Sequence, residues 1–134
     1  MNKTILVLVL IAVAVIAWAC KPNAKNSAYK TVGVDEFERL IATGGDSVVV
    51  LDVRTPSEYA EGHLSDAVLI DVKSDSFMAE ARRQLPRDKT IAVYCRSGRR
   101  SAHAADMLSA EGYQLVNLDG GITAWTRAGK ATVK

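Results

Sequence analysis

Cys95 stands where an apolar run stops. In TIAVYCRSGRRSAHAADMLSAEGY, residues 90–113, the run ends at the thiol, a serine-, glycine- and arginine-rich turn follows, and a helical pattern begins. Gly98 allows a turn tight enough to aim successive backbone N–H groups inward as a nest, and the helix that follows adds its positive N-terminal end. Arg96, Arg99 and Arg100 place three permanent cations in the same turn. Such a pocket favours anions, beginning with the thiolate of Cys95, whose pKa is expected to fall below the free-thiol value of about 8.5. The thiolate is the nucleophilic form, so the loop of Arg96, Ser97, Gly98, Arg99 and Arg100 is expected both to activate the sulfur and to receive an anionic substrate beside it. The competing reading is a buried cysteine that acts only as a small hydrophobe.

A loop of this kind needs a strand behind it and a helix ahead, and the chain supplies both in alternation. VDEFERLIATGG (34–45) sets Val34, Phe37, Leu40 and Ile41 at helical spacing, with Gly44 and Gly45 to stop the helix. SVVVLDV (47–53) is a continuous run that suits a strand covered on both faces. TPSEYAEG opens a short helix with Thr55 as N-cap, Pro56 at the first helical position and Glu58 three residues after the cap. AVLIDV (67–72) predicts a short strand, SFMAEARRQL (76–85) a helix before Pro86, and TIAVYC (90–95) a buried strand. RSAHAADMLSAEG (100–112) predicts a helix, QLVNL (114–118) a strand and GITAWTRAG (121–129) a last helix. Short connections between alternating elements predict an α/β fold, a doubly wound parallel sheet with helices on both faces. Sites in such sheets gather at the carboxyl ends of strands, where Cys95 and Asp52-Val53-Arg54 both fall.

The first part of the chain follows different rules. MNKTILVLVLIAVAVIAWAC has one basic residue, Lys3, then an uncharged apolar run of 16 residues from Thr4 to Ala19. That is the order of a secretory signal, and the run is just short of the roughly 17 to 25 residues of a spanning helix. Residues 1–19 are therefore expected to be a signal peptide. Ala17-Trp18-Ala19 fits a signal-peptidase site, while AWAC also resembles the lipobox of bacterial lipoproteins. Lipidation of Cys20 is the favoured reading, and a plain secreted protein beginning at Cys20 is the alternative. Residues 20–29, polar and aperiodic, are expected to tether a domain spanning 30–134, which places it on the periplasmic side of a bacterial cell envelope, held to the membrane by lipid.

The 115 residues from Cys20 onward carry 16 Lys and Arg against 15 Asp and Glu, which suits one domain and gives no reason to expect nucleic acid. Cys20 and Cys95 are the two cysteines, so lipid on Cys20 leaves Cys95 without a partner in the chain. Lacking a second thiol is one way to keep a working thiol available in an oxidising compartment. If Cys20 carries no lipid, a disulfide between the two is the alternative.

Three stretches, LDVRTPSEYAEGHLSDAVLI (51–70), VYCRSGRRS (93–101) and LDGGITAWTRAG (118–129), resemble the signature stretches of the rhodanese (sulfurtransferase) family in order and spacing. The likeness covers residues 30–129. It implies a doubly wound parallel sheet and a cysteine that takes up sulfane sulfur as a persulfide, here Cys95, then passes it to a thiophilic acceptor. The implied partners are a small anionic sulfur donor such as thiosulfate and a thiol or cyanide acceptor, with no metal or organic cofactor and a monomer as the working form. Phosphatases and arsenate reductases of the same fold carry five residues between cysteine and arginine. Here four separate Cys95 from Arg100, and Tyr94 stands where those relatives have histidine. The shorter ring suits a bound sulfur atom better than a tetrahedral oxyanion. A sulfur-carrying or protein-binding module with little turnover is the second reading, and phosphatase or arsenate chemistry the third.

Asp52 and Arg54 resemble the family's D-x-R element and are expected to support the site. Arg54 could pair with Glu58 or cap a helix, and Asp52 is expected to position loop arginines. Arg100 resembles the loop-closing arginine, with Arg96 and Arg99 open as rim residues. His63 is expected to order the chain by hydrogen bonding, and His103 to be a partly exposed helical residue. Two histidines and one available thiol make no metal ligand set. SDA (65–67) departs from the family's usual Pro-Gly-Ala-like turn, and KATVK from its usual ending.

Overall fold

The computed structural model describes residues 29–134. The expected signal peptide, Cys20 and all of the tether except Tyr29 lie outside the described residues. Among the described residues, no helix is long and apolar enough to cross a membrane.

Five parallel strands lie in the order β1-β5-β4-β2-β3. They are β1 (Tyr29–Val32), β2 (Val48–Asp52), β3 (Val68–Leu69), β4 (Thr90–Tyr94) and β5 (Gln114–Leu118). The helices are α1 (Val34–Gly44), α2 (Pro56–Glu61), α3 (Phe77–Gln84), α4 (Arg99–Ala110) and α5 (Gly121–Arg127). The expected doubly wound sheet is thus the observed one. β4 is central, in register with β2 at Val50↔Ala92 and with β5 at Val93↔Asn117.

Two differences from expectation have simple physical causes. β1 was not anticipated, and Tyr29, assigned to the tether, is its first residue. The strand is four residues long at a sheet edge and buries only Val32, so it lacks the apolar run that marks the inner strands. β3 is reduced to two residues: Ile70 and Val72 still donate to the Asp52 and Val53 carbonyls, but Asp71 between them breaks the regular ladder.

Side chains alternate across the sheet and build two cores. Ile91, Val93 and Cys95 pack with Phe77 and Ala81 of α3 and with Ala104, Ala105 and Leu108 of α4. Ala92 and Tyr94 face the other way, toward Phe37 of α1, Trp125 of α5, Leu64 and Ala67. Trp125 meets Phe37 edge to face at 6.3 Å and donates its indole N–H to the Ala131 carbonyl at 2.9 Å. The last residues are pinned down further along: His63 and Val133 exchange backbone hydrogen bonds of 2.9 and 2.8 Å.

Candidate functional site

Cys95 is the first residue beyond β4, and the loop it opens is shaped from the side by α5. The backbone N–H groups of Ile122 and Thr123 donate to the carbonyls of Cys95 and Arg96 at 2.9 and 3.1 Å. Gly121, at φ 58°, permits this approach, since a Cβ there would lie 2.4 Å from the Cys95 oxygen. With two loop carbonyls turned toward α5, N–H groups remain for the sulfur. Gly98, at φ 102°, reverses the chain and is the N-cap of α4. Its N–H donates to Cys95 Sγ at 3.1 Å, and the Ser101 hydroxyl donates to the same sulfur at 3.3 Å. Cys95 is 1 % exposed and Ser101 fully buried.

Burial, the largest influence on this thiol, pushes its pKa up. Hydrogen bonds from the Ser101 hydroxyl and from the backbone N–H groups of Ser101, Gly98 and Ser97 outweigh it and hold the thiol below its ordinary value. The direction agrees with the sequence expectation, and of the expected contributors the inward N–H groups, joined by the Ser101 hydroxyl, lead the lowering, not the three arginines.

The arginines are deployed unequally. Arg100 turns to α2 and grips Glu58 at two points, Nη1 to Oε1 at 2.7 Å and Nη2 to Oε2 at 2.8 Å. This pair, helped by the Thr55 N–H and hydroxyl, holds Glu58 at a pKa of about 2 against the work of partial burial. Thr55 and Glu58 also close the expected capping box of α2. Arg96 and Arg99 are exposed. Arg96 lines an open groove of about 390 Å³ beside the loop, together with Arg54, Glu58, Glu61, Thr123 and Thr132.

The D-x-R element does only part of what was expected. Arg54 does not pair with Glu58; its Nε and Nη2 reach Asp52 at 3.0 and 2.7 Å, and Nη2 also donates at 2.8 Å to the carbonyl of Gly62, the C-cap of α2, so the helix-capping alternative is the one observed. Asp52 positions no loop arginine. It accepts the Tyr94 hydroxyl at 2.6 Å, and that hydroxyl in turn accepts the Leu64 N–H at 3.0 Å. Burial and the Asp52 carboxylate push the Tyr94 phenol well above its ordinary pKa, so it remains a donor. The exchange of partners follows from strand geometry: β2 and β4 are in register at Asp52↔Tyr94, which puts both on the face opposite Cys95.

Ser101 and Gly121 were not identified from the sequence as parts of the site. Ser101 lies six residues after Cys95, one turn into α4, and a hydroxyl one turn into the helix that a nucleophile loop opens is the signal that could have found it. The role of Gly121 is visible only when β5 brings α5 against the loop. His63 stacks on Tyr59 at 3.6 Å between ring centroids and donates from Nδ1 to the Tyr59 carbonyl at 3.0 Å, so it orders α2. His103 is exposed on α4. Among the described residues, no cluster of three His, Cys, Asp or Glu is placed to hold a metal.

Comparison with known proteins gives the same direction. The family model for the rhodanese-like domain matches residues 33–128. A sulfurtransferase of Allochromatium vinosum is 38% identical over 93 residues, 69% of this chain and 82% of that protein. The thiosulfate sulfurtransferase GlpE of Pseudomonas entomophila is 34% identical over 98 residues, 69% of this chain and 87% of that one. Other relatives are longer, the chain spanning 49% of one and 21% of another. The crystal structure of a rhodanese-related protein from Thermoplasma volcanium superposes with a TM-score of 0.68 at 33% identity, covering 78% of this chain and 98% of that one.

Proposed function

Because the chain belongs to the rhodanese-like family, we propose that it is a sulfurtransferase in which Cys95 carries sulfane sulfur from thiosulfate or a persulfide to a thiophilic acceptor. The observation that carries this reading is the loop itself: a nearly buried thiol on which two hydrogen-bond donors converge and whose pKa they hold below its ordinary value. In the first step the Cys95 thiolate attacks the outer sulfur of thiosulfate. The S–S bond breaks, sulfite leaves with the electron pair, and Cys95 becomes a persulfide. In the second step cyanide or an acceptor thiolate attacks the terminal sulfur, the bond to Sγ breaks, and the pair returns to Sγ.

Inward N–H groups suit the persulfide as they suit the thiolate, because both carry one negative charge on sulfur. The exposed Arg96 and Arg99 supply attraction for a dianionic donor at the rim. The Arg100–Glu58 pair fixes the loop's closing residue and leaves Arg100 little free charge for the donor.

The intact mass of the purified protein before and after thiosulfate, with Cys95→Ser alongside, tests the reading. A gain of one sulfur atom that cyanide removes and the variant lacks supports it. No gain with thiosulfate or a persulfide donor returns the domain to the binding-module reading.

The N-terminal pattern supports a working place for this chemistry. The domain acts as a monomer on the periplasmic side of the cell envelope, tethered through lipid on Cys20. Metabolic labelling with a palmitate analogue checks this: label in the wild type and none in Cys20→Ala is the expected result.

A further inference from the structure

Two donors reach Cys95 Sγ from different depths. The Gly98 N–H, at 3.1 Å, belongs to the loop that forms the nest. The Ser101 hydroxyl, at 3.3 Å, is fully buried in the first turn of α4, and Cys95 is its one side-chain partner among the described residues. When the sulfur carrier is loaded, the negative charge moves outward to the terminal sulfur. Ser101, fixed in the first turn of α4, still addresses Sγ.

We propose that Ser101 is a catalytic residue of the second half-reaction, its hydroxyl stabilising Sγ as the leaving thiolate when an acceptor strips the outer sulfur from Cys95. This rests on the sulfur-transfer reading above. In the loaded state Sγ is a neutral, divalent sulfur and a weak acceptor, so the bond from Ser101 is worth little. As the acceptor attacks, the Sγ–S bond breaks and the electron pair returns to Sγ, where the hydroxyl is already aimed. The interaction is therefore stronger in the transition state of discharge than in the loaded ground state, the condition for acceleration. Loading reverses the sense: Ser101 stabilises the attacking thiolate before it reacts, which makes the sulfur less nucleophilic once ionised.

The two half-reactions separate this role from packing. In single turnovers of the full-length protein at alkaline pH, where the thiol is ionised in both variants, Ser101→Ala is expected to load from thiosulfate at the wild-type rate or faster. Its discharge to cyanide is expected to slow about tenfold, the scale of one hydrogen bond to a charged group. Ser101→Thr, which keeps the hydroxyl, restores discharge. The pH midpoint for alkylation of Cys95 by iodoacetamide moves upward in Ser101→Ala and returns in the threonine variant. Equal loss in both half-reactions, or no change in either, would overturn the proposal and make Ser101 a packing residue. If wild-type Cys95 takes no sulfur at all, the sulfur-transfer reading fails instead, and the alkylation midpoint still reports whether Ser101 acts on Sγ.

Discussion

Arg100 of the thiol loop and Glu58 of α2 meet in a two-point ion pair that spans 42 residues of sequence and ties the loop to the neighbouring strand's crossover. The folded pKa of Glu58, about 2, lies below the ordinary 4.5, so the stabilisation is fully present above about pH 4.5 and is lost as pH falls toward 2. Glu58→Gln is expected to cost about 1 kcal/mol at neutral pH, a modest value because the pair is partly exposed and screened. Urea unfolding across this pH range checks it: the gap between wild type and variant should close as acid is added.

Tyr94 holds Asp52 and the Leu64 N–H with one hydroxyl. Tyr94→Phe leaves a buried N–H unpaired and a buried carboxylate one donor short, which is expected to cost about 2 kcal/mol. Cys95 faces the other core, so single-turnover loading should stay within about twofold, since no donor to the sulfur is touched. Urea unfolding and loading rates measured on the same preparation test the separation.

Gly121 allows α5 to turn the Cys95 and Arg96 carbonyls away from the sulfur. Gly121→Ala places a methyl carbon inside that contact and forces a positive φ on a residue with a Cβ, a combined cost of roughly 3 kcal/mol. Sulfur loading is expected to fall more than in Tyr94→Phe despite a comparable loss of stability. Equal losses would mean that α5 supports the fold and not the loop.

Arg96 stands exposed on the groove beside the loop. Arg96→Ala is expected to raise KM for thiosulfate about fivefold at low ionic strength, an effect that shrinks as salt is added. The alkylation profile of Cys95 should hold its midpoint, because donors from Ser101, Gly98 and Ser97 set the lowering. Steady-state assays over a salt series decide the first point and alkylation the second.

What the sequence disclosed was what lies close together in the chain. Cys95, Gly98 and the strand-loop-helix order are contiguous, and the alternation of elements forces a parallel sheet. Partnerships across strands were not visible. Glu58 was considered for Arg54 because they are four residues apart, yet Arg54 has a carboxylate two residues away and Glu58 receives Arg100 from another crossover. The importance of Tyr94 depends on the Asp52↔Tyr94 register, which no local pattern encodes. β1 escaped because an edge strand that buries one side chain leaves almost no hydrophobic signature.

Asp66 sits at φ 59°, the one non-glycine among the described residues with positive φ, at the turn where SDA departs from the family pattern. Aspartate tolerates this conformation better than most side chains.

Tyr94 and Cys95 are neighbours in the chain but face opposite cores, one peptide bond apart. For an evolving lineage this makes tolerance to change asymmetric. The exposed positions 96, 97 and 99 can drift and alter what the site accepts without disturbing the interior. A single-residue insertion in β4 would be ruinous, since it would exchange the two faces, sending the phenol to the reactive side and the nucleophile into the buried network. Descendants of this domain should therefore diverge by substitution in the loop while the length of the strand before it stays fixed.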